Sequence, residues 1–110
     1  MSEYIQVSTT VTTEEEAGAI ARLLVEKRLA ACVQVVGPIT SHYRWQGKIE
    51  TAKEYLCLAK SRAALYLEME AAIKSIHPYE VAEIIATPII AGSKEYLAWL
   101  AAEVKEPIRT

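Results

Sequence analysis

Apolar positions along this chain recur with two alternating periods, and the places where the period changes mark out its elements. "YIQVSTTV" (4–11) alternates and is rich in β-branched residues, which predicts a first strand. In "TTEEEAGAIARLLVEKRLA" the spacing changes to three and four. Ala17, Ile20, Ala21, Leu24, Arg28 and Leu29 then share one helical face. Thr12 or Thr13 suits the N-cap of this helix, each with a glutamate three residues on, and Glu14 to Glu16 suit its positive end. "ACVQVVGPITSHYRWQGKIETAKEYLCLAK" (31–60) returns to period two and predicts one long β-hairpin. Gly37-Pro38 bends or bulges its first arm, and Gln46-Gly47 makes the tight turn. "SRAALYLEMEAAIKSIH" is helical through Leu65, Met69, Ala72, Ile73 and Ile76, with Ser61 as its expected cap and Pro78 as its stop. "EIIATPII" reads as a fourth strand, and "GSKEYLAWLAAEV" as a third helix capped by Ser93.

The order β-α-β-β-α-β, then a helix, is the α+β, ferredoxin-like arrangement: an antiparallel sheet with two helices on one face, here with a long hairpin and an extra C-terminal helix. "YLCLA" and "EIIATPII" are apolar at both odd and even positions, which predicts strands buried on both faces. Two helices cover only one face, and a second copy of the chain is the simplest cover for the other. A two-residue turn at Gln46-Gly47 opposes Trp45 to Lys48 and, continued without interruption, Val36 to Cys57. That register gathers Ser41, Tyr43, Trp45, Glu54 and Lys60 on one sheet face, a polar and aromatic surface suited to binding.

Length and composition narrow the class. The 110 residues (1–110) make a single domain, 52 % hydrophobic and 24 % charged, the profile of a folded globular chain. A net charge of −2 with scattered basic residues gives no electrostatic case for nucleic acid. No apolar run approaches the roughly 20 residues that span a bilayer. "MSEYIQVSTT" lacks the basic flank and apolar stretch of a signal peptide, so the cytoplasm is the expected location. Cys32 and Cys57 sit in apolar strands outside any zinc spacing and read as free, buried thiols. In the uninterrupted register Cys32 lies four residues from the partner of Cys57, roughly 13 Å along the strand. A disulfide needs Cα atoms within about 7 Å.

The chemistry concentrates in "SIHPYEVAEI" (75–84), where His77, Glu80 and Glu83 surround Pro78 and Tyr79. The plainest reading is a helix stop followed by a turn, since a helix ends before proline and histidine suits a helix C-terminus. The alternative is a binding site. One histidine with carboxylates, and no His-x-x-x-His, is a thin metal signature. His42 lies on the opposite parity from Tyr43 and Trp45 and does not obviously join them. Cys32 with His77 would make a thiol nucleophile and base, but "LAACVQVV" is the setting of an inert thiol. No phosphate loop, nucleophile elbow or paired-carboxylate motif is present, so the chain reads as a binding protein rather than an enzyme. Thr9-Thr10 stands where the first strand meets the first helix, a common place for a polar site.

Taken together, "VSTTVTTEEEAGAIARLLVEKRLAACV", "SHYRWQGKIE", Glu54 and Lys60 in "EYLCLAK", "HPYEVAEI" and "GSKEYLAWL" resemble the CutA divalent-cation-tolerance family over nearly the whole chain. The resemblance implies a ferredoxin-like fold assembled as a cytoplasmic homotrimer, with neighbouring subunits joined at their long hairpins. It also implies an architecture like that of the PII signalling proteins, and ligand clefts between subunits.

For site residues, the resemblance implies a cleft formed by Tyr43, Trp45, Lys60, His77, Tyr79 and Glu80. A divalent cation, copper or zinc, would be held by His77, Glu80 and Glu83. This chain departs from the family pattern at Ala82, where a proline is common. It also departs at Thr9 and Ile76, where members proposed to bind copper carry a cysteine and a second histidine. Imidazole with one or two carboxylates and no thiolate implies weak binding, roughly micromolar or poorer. A PII-like small-molecule sensor or scaffold without a metal role is the alternative.

Overall fold

The computed structural model describes residues 2–107. β1 (Tyr4–Val11) leads into α1 (Glu14–Glu26), then the hairpin arms β2 (Cys32–Trp45) and β3 (Lys48–Arg62). A 3-10 turn (Ala63–Leu65) opens into α2 (Tyr66–Ile76), followed by β4 (Ile84–Ile89) and α3 (Lys94–Glu103). The sheet order is β2-β3-β1-β4, antiparallel throughout, which is the ferredoxin-like topology that the sequence predicts.

Local chemistry explains the boundaries. Thr13, not Thr12, caps α1. Its hydroxyl accepts from the Glu16 N–H (3.1 Å) and the Glu16 carboxylate accepts from the Thr13 N–H (3.0 Å), a complete capping box. The hairpin turns at Gln46 and Gly47, both at positive φ (50° and 80°), so the backbone twist matches that of the strands. Ser93 caps α3 as predicted.

The core lies between one sheet face and the helices α1 and α2. Ile5, Val7 and Val11 of β1 and Cys57 and Ala59 of β3 pack there against Ile20, Leu24, Leu65, Met69 and Ile73. The opposite face, carrying Leu56, Leu58, Val36 and Ile85, is only half covered within one chain. Ile85 is 52 % exposed.

Four sequence expectations change. Ser61 does not cap α2; β3 runs on through Arg62, and the buried Ser61 hydroxyl donates to the Leu29 carbonyl (2.6 Å), pinning the chain that follows α1. Arg28 is not part of the α1 face. It follows the helix at φ 57°, and its guanidinium donates to the carbonyls of Ala102 and Glu103 (2.9 Å each), while Lys105 N–H returns a bond to its carbonyl. It therefore caps the C-terminus of α3. Ile76, the last residue of α2, is exposed rather than packed.

The hairpin register also slips by one. Gly37-Pro38 forms a bulge, so Val35 rather than Val36 faces Cys57. Gly37 is required there because the Tyr55 ring lies where a side chain would stand. The bulge reverses parity in β2. Cys32 and Cys57 consequently point to opposite faces and remain free thiols.

Candidate functional site

The site is built where the end of β1, the hairpin beyond the bulge and the loop after α2 meet. Pro78 disfavours helical geometry at the residue before it, and His77 takes an extended conformation (φ −72°, ψ 133°). This turns the imidazole back over the sheet. Its Nδ1 accepts the Tyr79 N–H (3.1 Å), so the proton sits on Nε2, which lies 3.0 Å from both the Thr10 carbonyl and the Thr9 hydroxyl. Both ring nitrogens are thus committed to protein partners. Burial lowers the His77 pKa, against the opposing pull of the Thr10 carbonyl and the carboxylates of Glu16 and Glu54, and the neutral ring fits this bonding.

His77 in turn aims Tyr79. The rings meet edge to face at 4.9 Å, and the Tyr79 hydroxyl donates to the Glu54 carboxylate (2.6 Å) while accepting from Thr12 (3.0 Å). Burial and then the Glu54 hydrogen bond push the phenol up to about 12. Glu54, only 6 % exposed, is the partner that the strand register delivers. It lies opposite Ile39, on the same sheet face as Ser41, Tyr43 and Trp45, as the sequence predicts.

Thr10, Glu54 and Tyr79 border a cleft of about 570 Å³, whereas His77, expected there from the sequence, does not line it and acts on it only through Tyr79. Glu54 and Tyr79 meet Tyr43 and Trp45 there, with Glu80 and Glu83 on the loop side. His42 borders it too, contrary to its strand parity, with Nδ1 3.0 Å from the Thr51 hydroxyl. Lys60 does not reach it. It lies six residues from Glu54, roughly 20 Å along β3, and donates to Gln34. Thr12, which completes the Tyr79 network, reads from sequence only as a candidate helix cap and not as a site residue. Its signal was its place beside the cap residue, where a strand end, a helix start and the loop after α2 converge.

A divalent ion is the group the sequence resemblance implies, and the donors of one chain do not fit it. Neither His77 nitrogen offers a free lone pair, and among the described residues no three His, Cys, Asp or Glu side chains gather around a point that could hold an ion.

Fold and site define a class: a ferredoxin-like α+β protein with an acidic, aromatic-walled cleft at the hairpin end of its sheet. Comparison with known proteins places it within that class. Residues 5–103 match the family profile described as CutA1 divalent ion tolerance protein. A divalent-cation tolerance protein CutA of Thermus thermophilus is 48 % identical over 100 residues, 91 % of this chain and 95 % of that one. The mouse protein CutA is 47 % identical over 91 residues, which span 83 % of this chain but 51 % of that one. A solved structure of the Thermus thermophilus divalent cation tolerance protein superposes with a TM-score of 0.90 at 44 % identity, covering 93 % of this chain and 99 % of that chain. The chain belongs to the CutA1 divalent ion tolerance family. None of its helices is long and apolar enough, among the described residues, to cross a membrane.

Proposed function

We propose that this protein is a homotrimeric binding protein of the cytoplasm, without enzymatic activity, whose cleft holds a small ligand. The observation that carries this reading is the Tyr79–Glu54 bond. A nearly buried carboxyl group and a phenol are held ready at the base of an aromatic-walled cleft, an arrangement that core packing alone does not require. Assembly is supported by the half-covered sheet face, where Leu56, Leu58 and Ile85 await a partner surface. Two free thiols suit a reducing compartment.

A second reading follows from Glu80 and Glu83 bordering the cleft. With donors from a neighbouring subunit these carboxylates would hold a divalent cation such as copper or zinc weakly, His77 serving as a latch rather than a ligand. Calorimetric titration of copper(II) and zinc into wild type, His77→Gln and Glu80→Gln/Glu83→Gln, with mass by sedimentation equilibrium, tests both parts. A trimer mass is expected, and a monomer at micromolar concentration would refute assembly. Metal affinity lost in His77→Gln but kept in the double variant would refute the latch role.

A further inference from the structure

We propose that the cleft receives a small organic cation, an ammonium or guanidinium group on a short apolar body, rather than an anion or a bare metal ion. The proposal rests on the cleft being a ligand site, as above, and adds the chemical class of its occupant.

Charge argues first. Three of the ten lining residues are glutamates, Glu54, Glu80 and Glu83, and none is lysine or arginine. A phosphate or carboxylate entering here would meet three acidic groups and a single imidazole, His42, with no lysine or arginine, whereas anion recognition needs several basic side chains or a cradle of N–H groups. Nucleotide binding is therefore disfavoured by the lining itself.

Spacing argues second. Among the described residues no three His, Cys, Asp or Glu side chains converge on a point fit for a metal ion; His77 has both nitrogens occupied, and His42, the imidazole on the lining, has its Nδ1 on the Thr51 hydroxyl. A metal needs its donors within about 2.0–2.6 Å of one centre. An alkylammonium or guanidinium spreads its charge and its hydrogen-bond donors over several ångströms. Carboxyl groups set around a wider space serve it better than they serve zinc.

The walls argue third. Rings of Tyr43, Trp45 and Tyr79 line the same space. Aromatic faces attract cations through the ring quadrupole, and one such contact strengthens binding about two- to thirtyfold, depending on how dry it is. The combination of ring faces with a carboxyl group at the base satisfies both ends of an amphipathic cation. Glu54 would meet the charge while one of its oxygens stays on Tyr79, and the rings would cover the body. A cationic head loses water on entering, and a nearly buried acid offsets that loss where an exposed one would not.

The test titrates the native assembly with agmatine and tetramethylammonium as probes, at constant ionic strength, with AMP and zinc as comparators. Trp99→Phe leaves Trp45 as the sole tryptophan, so its fluorescence reports the cleft, and calorimetry gives affinity independently. We expect saturable binding of both cations at sub-millimolar concentration and none of AMP. Glu54→Gln should weaken the cations at least about tenfold, with Trp45→Leu weaker by about two- to thirtyfold, at unchanged oligomer mass. If Glu54→Gln fails to fold, Trp45→Leu carries the test, because Trp45 is already 42 % exposed and its loss leaves the core intact.

Zinc binding that depends on Glu80 and Glu83, with no response to either cation, would overturn this inference and leave a ligand site in the cleft. Preference for AMP would overturn the charge argument. Cation binding unchanged in both variants would place it elsewhere and overturn the inference. Silence toward cations and zinc alike would overturn both this inference and the cleft as a ligand site.

Discussion

Tyr79 donates its phenolic hydrogen to Glu54 across 2.6 Å, joining residues 25 apart in sequence and closing the loop after α2 onto the middle of β3. Glu54 lies on the sheet face away from α1 and α2, nearly buried, and Tyr79 is the partner that allows a carboxyl group to remain there. The bond thus belongs both to stability and to the site.

Tyr79→Phe should destabilise the fold by about 1–3 kcal/mol, because it leaves a nearly buried acceptor short of its donor while keeping the ring that packs on His77. Adding Glu54→Leu removes the stranded acceptor. The second substitution should therefore cost less in the Tyr79→Phe background than in wild type. Urea unfolding of the four proteins in a double-mutant cycle measures the coupling; additivity would show that the bond contributes nothing.

Stability should fall with acid in a way that depends on His77. Its folded pKa is lowered from 6.5, so the unfolded chain binds this proton first as pH drops. The contribution is present above about 6.5 and is lost as pH falls through the lower folded value. Protonation places a hydrogen on Nδ1 and ends its bond from the Tyr79 N–H. Wild type should lose stability relative to His77→Gln on going from pH 7.5 toward 5, with no such divergence above 7. Denaturation midpoints across that range measure the effect.

Cys57 should resist thiol reagents in the folded protein. Burial pushes its thiol up to about 11, which leaves little thiolate at neutral pH, and its Sγ points toward the Ala17 carbonyl. Cys32, half-buried beside Tyr96, is also expected to be slow. Labelling should complete only in denaturant. Full modification of both within minutes in native buffer would contradict the packing.

Arg28→Gly should loosen α3 selectively. Glycine tolerates the φ of 57° that Arg28 adopts, so the substitution removes the fork to the Ala102 and Glu103 carbonyls without adding backbone strain. Amide hydrogen exchange should quicken at residues 100–105 while β1 and β3 keep their protection. Arg28→Ala should be worse than Arg28→Gly, since it loses the same bonds and still carries a Cβ at positive φ.

Local pattern carried much of this protein. The switch between periods two and three-to-four located each strand and helix because those periods follow from backbone geometry alone. Pro78 set the end of α2, Gly47 the hairpin turn and Ser93 the start of α3 through chemistry confined to a few residues. Alternation in the hairpin also placed Glu54 on the face of Tyr43 and Trp45, since the bulge lies before all three pairings.

What depended on long-range placement was decided only by the tertiary structure. The length of the Gly37-Pro38 irregularity fixes the parity of Cys32, and a single extra residue moved it to the other face from Cys57. Arg28 fits the helical spacing of α1, yet the carbonyls it caps belong to a helix more than seventy residues later. Ser61 reads as a cap, yet a buried carbonyl at Leu29 claims it for the strand. His77 illustrates the division most clearly. The sequence determined where it stands, just before the proline, but its ring nitrogens are satisfied by Thr10 and the Tyr79 backbone. A hydrogen bond depends on positions in space that no local periodicity encodes.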